Sequence, residues 1–168
     1  MKIKHLFFIL LVLCIMFFLA GCGGSGGSSG GGGEGGDDGP GRTFIISNID
    51  PNNVEDFQVI AGKGIKFTYM GFEFVIQDKV VLSDNGNVTD TFLIKMDGET
   101  GANSVYTGKW TSDGTTINAH FTKENDKLHK KTNNIDEHGS AVLSADGNTL
   151  SNKEVHGDLP FKFIFTKQ

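Results

Sequence analysis

The sequence predicts an all-β domain over residues 42–168, an antiparallel meander closing into a small barrel, with a two-layer β-sandwich as the alternative. Three observations carry this expectation. Apolar residues alternate with polar ones at a period of two in several windows, Asn-Gly and Asp-Gly pairs punctuate those windows, and no long window keeps a 3.6-residue rhythm. A period of two places one set of side chains on a buried face and the other set outward. Eight to ten strands in so short a domain exceed what an open, twisted sheet holds comfortably, so closure or layering is expected.

The alternating windows run in order. Ile65, Phe67 and Tyr69 alternate with Lys66, Thr68 and Met70; Phe72, Phe74 and Ile76 bracket Glu73 and Val75. Ile117, Ala119 and Phe121 flank Asn118 and His120, and Phe161, Phe163 and Phe165 alternate with Lys162, Ile164 and Thr166. Between them, Ser83-Asp84-Asn85-Gly86, Ser112-Asp113-Gly114-Thr115 and Ser144-Ala145-Asp146-Gly147 read as hairpin tips, because Asn-Gly and Asp-Gly supply the positive φ of tight turns. Gly71 is expected to bend or bulge its strand. Asn53 to Ile60, after Asp50-Pro51, reads as a helical turn or irregular segment. Lys123 to Gly139 is the longest polar stretch, with four lysines, four acids and two histidines, and reads as a solvated loop that would act as a lid or partner contact.

Ahead of this domain, Lys2 and Lys4 precede an unbroken apolar run from Leu6 to Leu19. At about 1.5 Å per residue such a run spans roughly 21 Å, short of a bilayer core but suited to the apolar segment of a secretory signal. It ends in Leu19-Ala20-Gly21-Cys22. These four residues resemble the lipobox of bacterial lipoproteins. The resemblance implies a signal peptide over 1–21, cleavage between Gly21 and Cys22, and acylation (palmitate-type chains) of the Cys22 thiol and new amino group. The mature protein would then hold to membrane lipid through Cys22, in the cell membrane or outer membrane, with its domain outside the cytoplasm. Two or three acyl chains give lasting attachment where one gives only marginal binding. Residues 23–41 are almost all Gly and Ser, with Glu34, Asp37 and Asp38 the only charges before Pro40 and Gly41. Such a composition has nothing to bury and reads as a flexible tether with a root-mean-square reach of roughly 24 Å.

Charge and cysteine content narrow the function. The chain of 168 residues carries 15 basic and 20 acidic groups, and loss of Lys2 and Lys4 with the signal leaves 13 against 20. A net −7 argues against nucleic acid, which demands a basic face. Cys14 falls in the signal and Cys22 is consumed by lipid, so no thiol remains for a disulfide or a metal.

Tyr106-Thr107-Gly108-Lys109-Trp110, followed by a tight turn, resembles the strand-turn-strand units of bacterial lipocalin-like domains, with Gly108-Lys109-Trp110 matching their Gly-x-Trp element. In lipocalins that element lies in the first barrel strand, whereas here it falls mid-domain. The resemblance implies a barrel architecture. Tyr106 and Trp110 are the first candidates for lining a ligand cavity, since apolar pockets occur in the mouths of small barrels.

No metal or cofactor is expected. His120, His129 and His138 stand nine residues apart, unlike the local ligand spacing of zinc sites, and with His156 they read as scattered surface histidines. Asp84, Asn85, Asn87 and Asp90 surround Gly86 but lack the order of a calcium loop. No nucleophile turn or phosphate-binding glycine loop appears, and Asp136-Glu137 reads as an acid pair in a loop, so no enzyme activity is expected. The expected function is a non-catalytic binding module for an apolar small molecule or an envelope protein. The alternative is a structural or surface-display lipoprotein with a packed, cavity-free domain.

Overall fold

The computed structural model describes residues 41–50, 53–152 and 162–168. The signal, the Gly21/Cys22 processing site, the tether and His156 lie outside the described residues.

Among the described residues the secondary structure is entirely β: β1 (Arg42–Asp50), β2 (Glu55–Ile60), β3 (Gly64–Tyr69), β4 (Phe72–Leu82), β5 (Asn87–Met96), β6 (Glu99–Ser112), β7 (Thr116–Asp126), β8 (Lys131–Leu143), β9 (Thr149–Asn152) and β10 (Lys162–Lys167). Each strand pairs antiparallel with its sequence neighbour from β2 through β10, and β1 pairs with β10 on one side and β4 on the other. Eight strands, β4 to β10 plus β1, therefore close into a barrel, which decides against the sandwich. Closure falls to the long β4. Its first half, Phe72–Ile76, pairs with β3, and its second half, Lys79–Leu82, pairs with Ile45–Arg42 of β1. The β2–β3 hairpin thus extends the wall beside β1.

Of the expected alternating residues, Ile65, Phe67, Phe74, Ile76, Ile117, Phe121, Phe163 and Phe165 are buried, and Phe44, Ile46, Ile49, Leu82, Val88 and Ile94 complete the interior with them. Phe67 and Phe74 stack at 5.4 Å between adjacent strands. The outer wall carries Lys66, Glu73, Gln77, Lys79, Lys95, Lys109, Asn118 and His120 along the same strands. A membrane-spanning barrel needs an apolar outer band, the reverse of this arrangement.

The three expected tips all join antiparallel neighbours, closed by bonds such as Gly86 N–H to the Ser83 carbonyl at 3.0 Å and Thr116 N–H to the Asp113 carboxylate at 2.7 Å. Three expectations are corrected. Met70 and Gly71 both have positive φ, 51° and 77°, so Gly71 completes a two-residue hairpin turn and does not bulge a strand. Asn53–Ile60 contains strand β2, not a helical turn; its register shifts between Glu55 and Gln58, where Asp56 has φ 52°. An inserted residue turns a spacing of two into three, which is why Val54 and Phe57 mimic a helical repeat. Lys123–Gly139 is the β7–β8 hairpin, not a loop between strands.

Gly108, at a register shift between β6 and β7, passes so close to its neighbour that a Cβ would stand 1.9 Å from the His120 carbonyl oxygen. Gly108→Ala should therefore lower unfolding stability by about 2 kcal/mol or more in chemical denaturation. Met70→Asn should raise it by about 0.5–1 kcal/mol, because the exposed Met70 occupies a left-handed position that Asn tolerates better.

Candidate functional site

One sector of the interior is polar. Register places Val80, Asp90, Tyr106, Glu124 and Asn133 opposite one another across β4, β5, β6, β7 and β8. From β5 to β8 this inward row is Asp–Tyr–Glu–Asn. Asp78 on β4 lies one diagonal step from Asp90, Ser104 one step from Glu124, and Glu137 follows Asn133 on β8. Two register shifts, Thr107/Gly108 and Phe121/Lys123, reset the phase so that Phe121 and Glu124, three residues apart, both face inward.

Glu124 is fully engaged: Ser104 Oγ donates to Oε1 at 2.8 Å and Asn133 Nδ2 to Oε2 at 3.0 Å. Its neighbours are not. Asp78 Oδ1, Asp90 Oδ1 and Glu137 Oε2 are shielded from solvent without a hydrogen-bond partner, and Asp78 is only 7% exposed. Burial pushes the Asp78 carboxyl well above the ordinary aspartate range, helped by the Asp90 charge and by the hydrogen bond between the two side chains. Burial likewise raises Asp90, to about 6, the Asp78 hydrogen bond partly offsetting it. Two such groups side by side disfavour the state in which both are ionised. Glu137 is raised by burial and then by the Glu124 charge, and Tyr106 is held in its phenol form by burial and then by Glu124.

Both candidate aromatics face inward, but they do different things. Tyr106 stands in the acidic row, edge-on to Phe121 at 6.0 Å. Trp110 lies a turn-end away: its Nε1–H donates to the Ser83 carbonyl at 2.9 Å and the Arg42 guanidinium covers its ring at 5.2 Å. Trp110 therefore fastens the end of the barrel where β1 begins, while Tyr106 belongs to the polar sector. The calcium-like grouping does not converge, since Asn85 caps the β4–β5 turn through the Asn87 amide while Asp90 points into the barrel. Asp136-Glu137 is not in a loop; it lies on β8, Glu137 facing inward and Asp136 outward.

The histidines are not scattered either. β7–β8 register sets His120 opposite His138, with rings stacked at 4.3 Å and 6° from parallel. Asp136 Oδ1 lies 2.7 Å from His120 Nε2 and 3.6 Å from His138 Nε2. His129 sits apart at the hairpin tip, its Nδ1 bonded to Asp126 at 2.6 Å.

No family of known proteins matches this chain, and neither does any curated protein or solved structure.

The shifted carboxyls fix the pH response. Folded Asp90 keeps its proton up to about pH 6, whereas an unfolded aspartate releases it near about 3.9. Between those values the native state binds more protons, so this stabilisation is complete at low pH and is lost as pH rises through the folded value. Asp78 and Glu137 carry the same sign. The melting temperature should rise by several degrees from about pH 7.5 to about pH 5, and Asp90→Asn should raise it at neutral pH and flatten the profile.

Proposed function

We propose that this chain is a membrane-tethered envelope lipoprotein whose barrel binds a small ligand with an apolar body and a cationic, hydrogen-bond-donating group, without transforming it. One observation carries the binding half: three buried carboxyl oxygens, on Asp78, Asp90 and Glu137, lack a donor in an interior whose remaining wall is mainly aromatic and aliphatic. Buried carboxyls left without donors cost several kcal/mol of desolvation, a cost a fold retains where an occupant offsets it. An ammonium or amidinium supplies charge and N–H donors together, and the apolar wall suits a hydrocarbon or aromatic body. The tether half is supported by Leu19-Ala20-Gly21-Cys22, by the glycine-rich segment after it, and by an outer wall too polar to sit in lipid.

A second reading has one observation in its favour. Two adjacent carboxyls that disfavour joint ionisation are an arrangement that general acid–base chemistry uses. A bound ligand recovered chemically altered would favour it.

The test compares a fluorescent long-chain alkylamine with a fatty acid of equal length, each titrated into the full chain carrying Cys22→Ser. The amine should bind saturably, the fatty acid at least tenfold more weakly, and Asp78→Asn with Asp90→Asn should abolish the preference. Equal binding of both probes, or of neither, overturns the cationic ligand; binding of neither leaves the packed, structural lipoprotein. Separately, Cys22→Ser should move the protein from the membrane fraction to the soluble exported fraction. Persistence of the full-length variant in membranes would overturn the tether.

A further inference from the structure

On the opposite side of the wall from the acidic row, we propose that His120, Asp136 and His138 form an open site for a divalent transition metal of the zinc class. The proposal is independent of the interior ligand, since these side chains point outward and touch none of the interior groups.

The hairpin register builds the cluster. β7 and β8 pair about the Asp126–Lys131 turn, and the shift between Phe121 and Lys123 brings His120 directly opposite His138. Asp136 lies two residues before His138, hence on the same outward face. The three offer two imidazole nitrogens and one carboxylate oxygen, all within 4.8 Å of one another. Zinc with bonds of about 2.0–2.1 Å in tetrahedral geometry holds its ligand atoms roughly 3.3 Å apart. The Asp136 Oδ1 to His138 Nε2 separation of 3.6 Å is already close to that edge, and the 2.7 Å contact from Asp136 to His120 must open slightly. Both imidazoles turn Nε2 toward the same oxygen; because each lone pair lies in its ring plane, the stacked rings must tilt apart as the carboxylate moves for a cation to enter between all three.

The donor set selects the metal. Two neutral imidazoles and one carboxylate suit zinc, nickel or copper(II), whereas calcium and magnesium favour oxygen-only shells. Three protein ligands leave a fourth tetrahedral position for water or for a donor from another molecule. Binding requires neutral imidazoles, and Lys109, the register partner of His120 on β6, is the cationic neighbour that opposes it.

The experiment is a calorimetric titration of zinc chloride into the untagged full chain carrying Cys22→Ser, with magnesium chloride as the control. The expected result is saturable zinc binding at one site per chain and none for magnesium. His120→Ala and His138→Ala should each weaken that site by about tenfold or more, and Asp136→Asn should do so while keeping its size. His129→Ala should leave it unchanged, since His129 has its own carboxylate partner at the hairpin tip. Cobalt(II) gives a second readout: the wild-type complex should show visible absorption that the His120→Ala and His138→Ala variants lose. Absence of saturable zinc binding overturns the site, as does binding that survives both histidine substitutions.

Discussion

The structure depends on β1 finding two partners at once. Its residues 42–45 bond to β4 while its residues 44–50 bond to β10, and without either pairing the eight-strand ring would be an open, curled sheet. The bulge between Ile46 and Asn48 makes the double pairing compatible with a core, because the extra residue lets Phe44, Ile46 and Ile49 all face inward. Closure also pairs β1 and β4 that would otherwise present ladder edges, and leaves β2 as the edge strand among the described residues. It creates, finally, an interior where a carboxyl group is costly to ionise. The elevated Asp78 and Asp90 are therefore a consequence of the ring and not of local sequence.

Much of the ring was legible in the sequence. Where both requirements of a strand coincide, an apolar inner face and an Asn-Gly or Asp-Gly end, the reading and the structure agree, as at β4, β7 and the Ser83–Gly86 turn. Asp97-Gly98 is a further such pair; both residues have positive φ and join β5 to β6. β2 was illegible because a bulge breaks its alternation, and the period-two test has no way to count the inserted residue.

The site was hidden for a deeper reason. From Lys123 to Glu137 the inward positions include Glu124, Asp126, Asn133 and Glu137, with Ile135 the one large apolar side chain among them, so the apolar–polar alternation is all but lost. The residues that make the interior unusual also make the segment look like a loop. Asp78 and Asp90 are single carboxyls in otherwise apolar inner faces, and each was visible as a polar residue at a core position once the strand phase is followed. The His120–His138 pair depended on hairpin register, which a one-residue shift between Phe121 and Lys123 alters. Spacing along the chain carries little information about a pair made across strands.

The main-chain N–H of Gln168 donates to the Thr43 carbonyl at 2.9 Å, so the final residue lies alongside the start of β1. Arg42 and Gln168 therefore leave the barrel side by side, at the end that Trp110 fastens. A fluorophore or purification handle joined after Gln168 would sit beside the first residues of β1, and the turns at Met70 and Leu128 on the far rim would remain uncovered for imaging or capture.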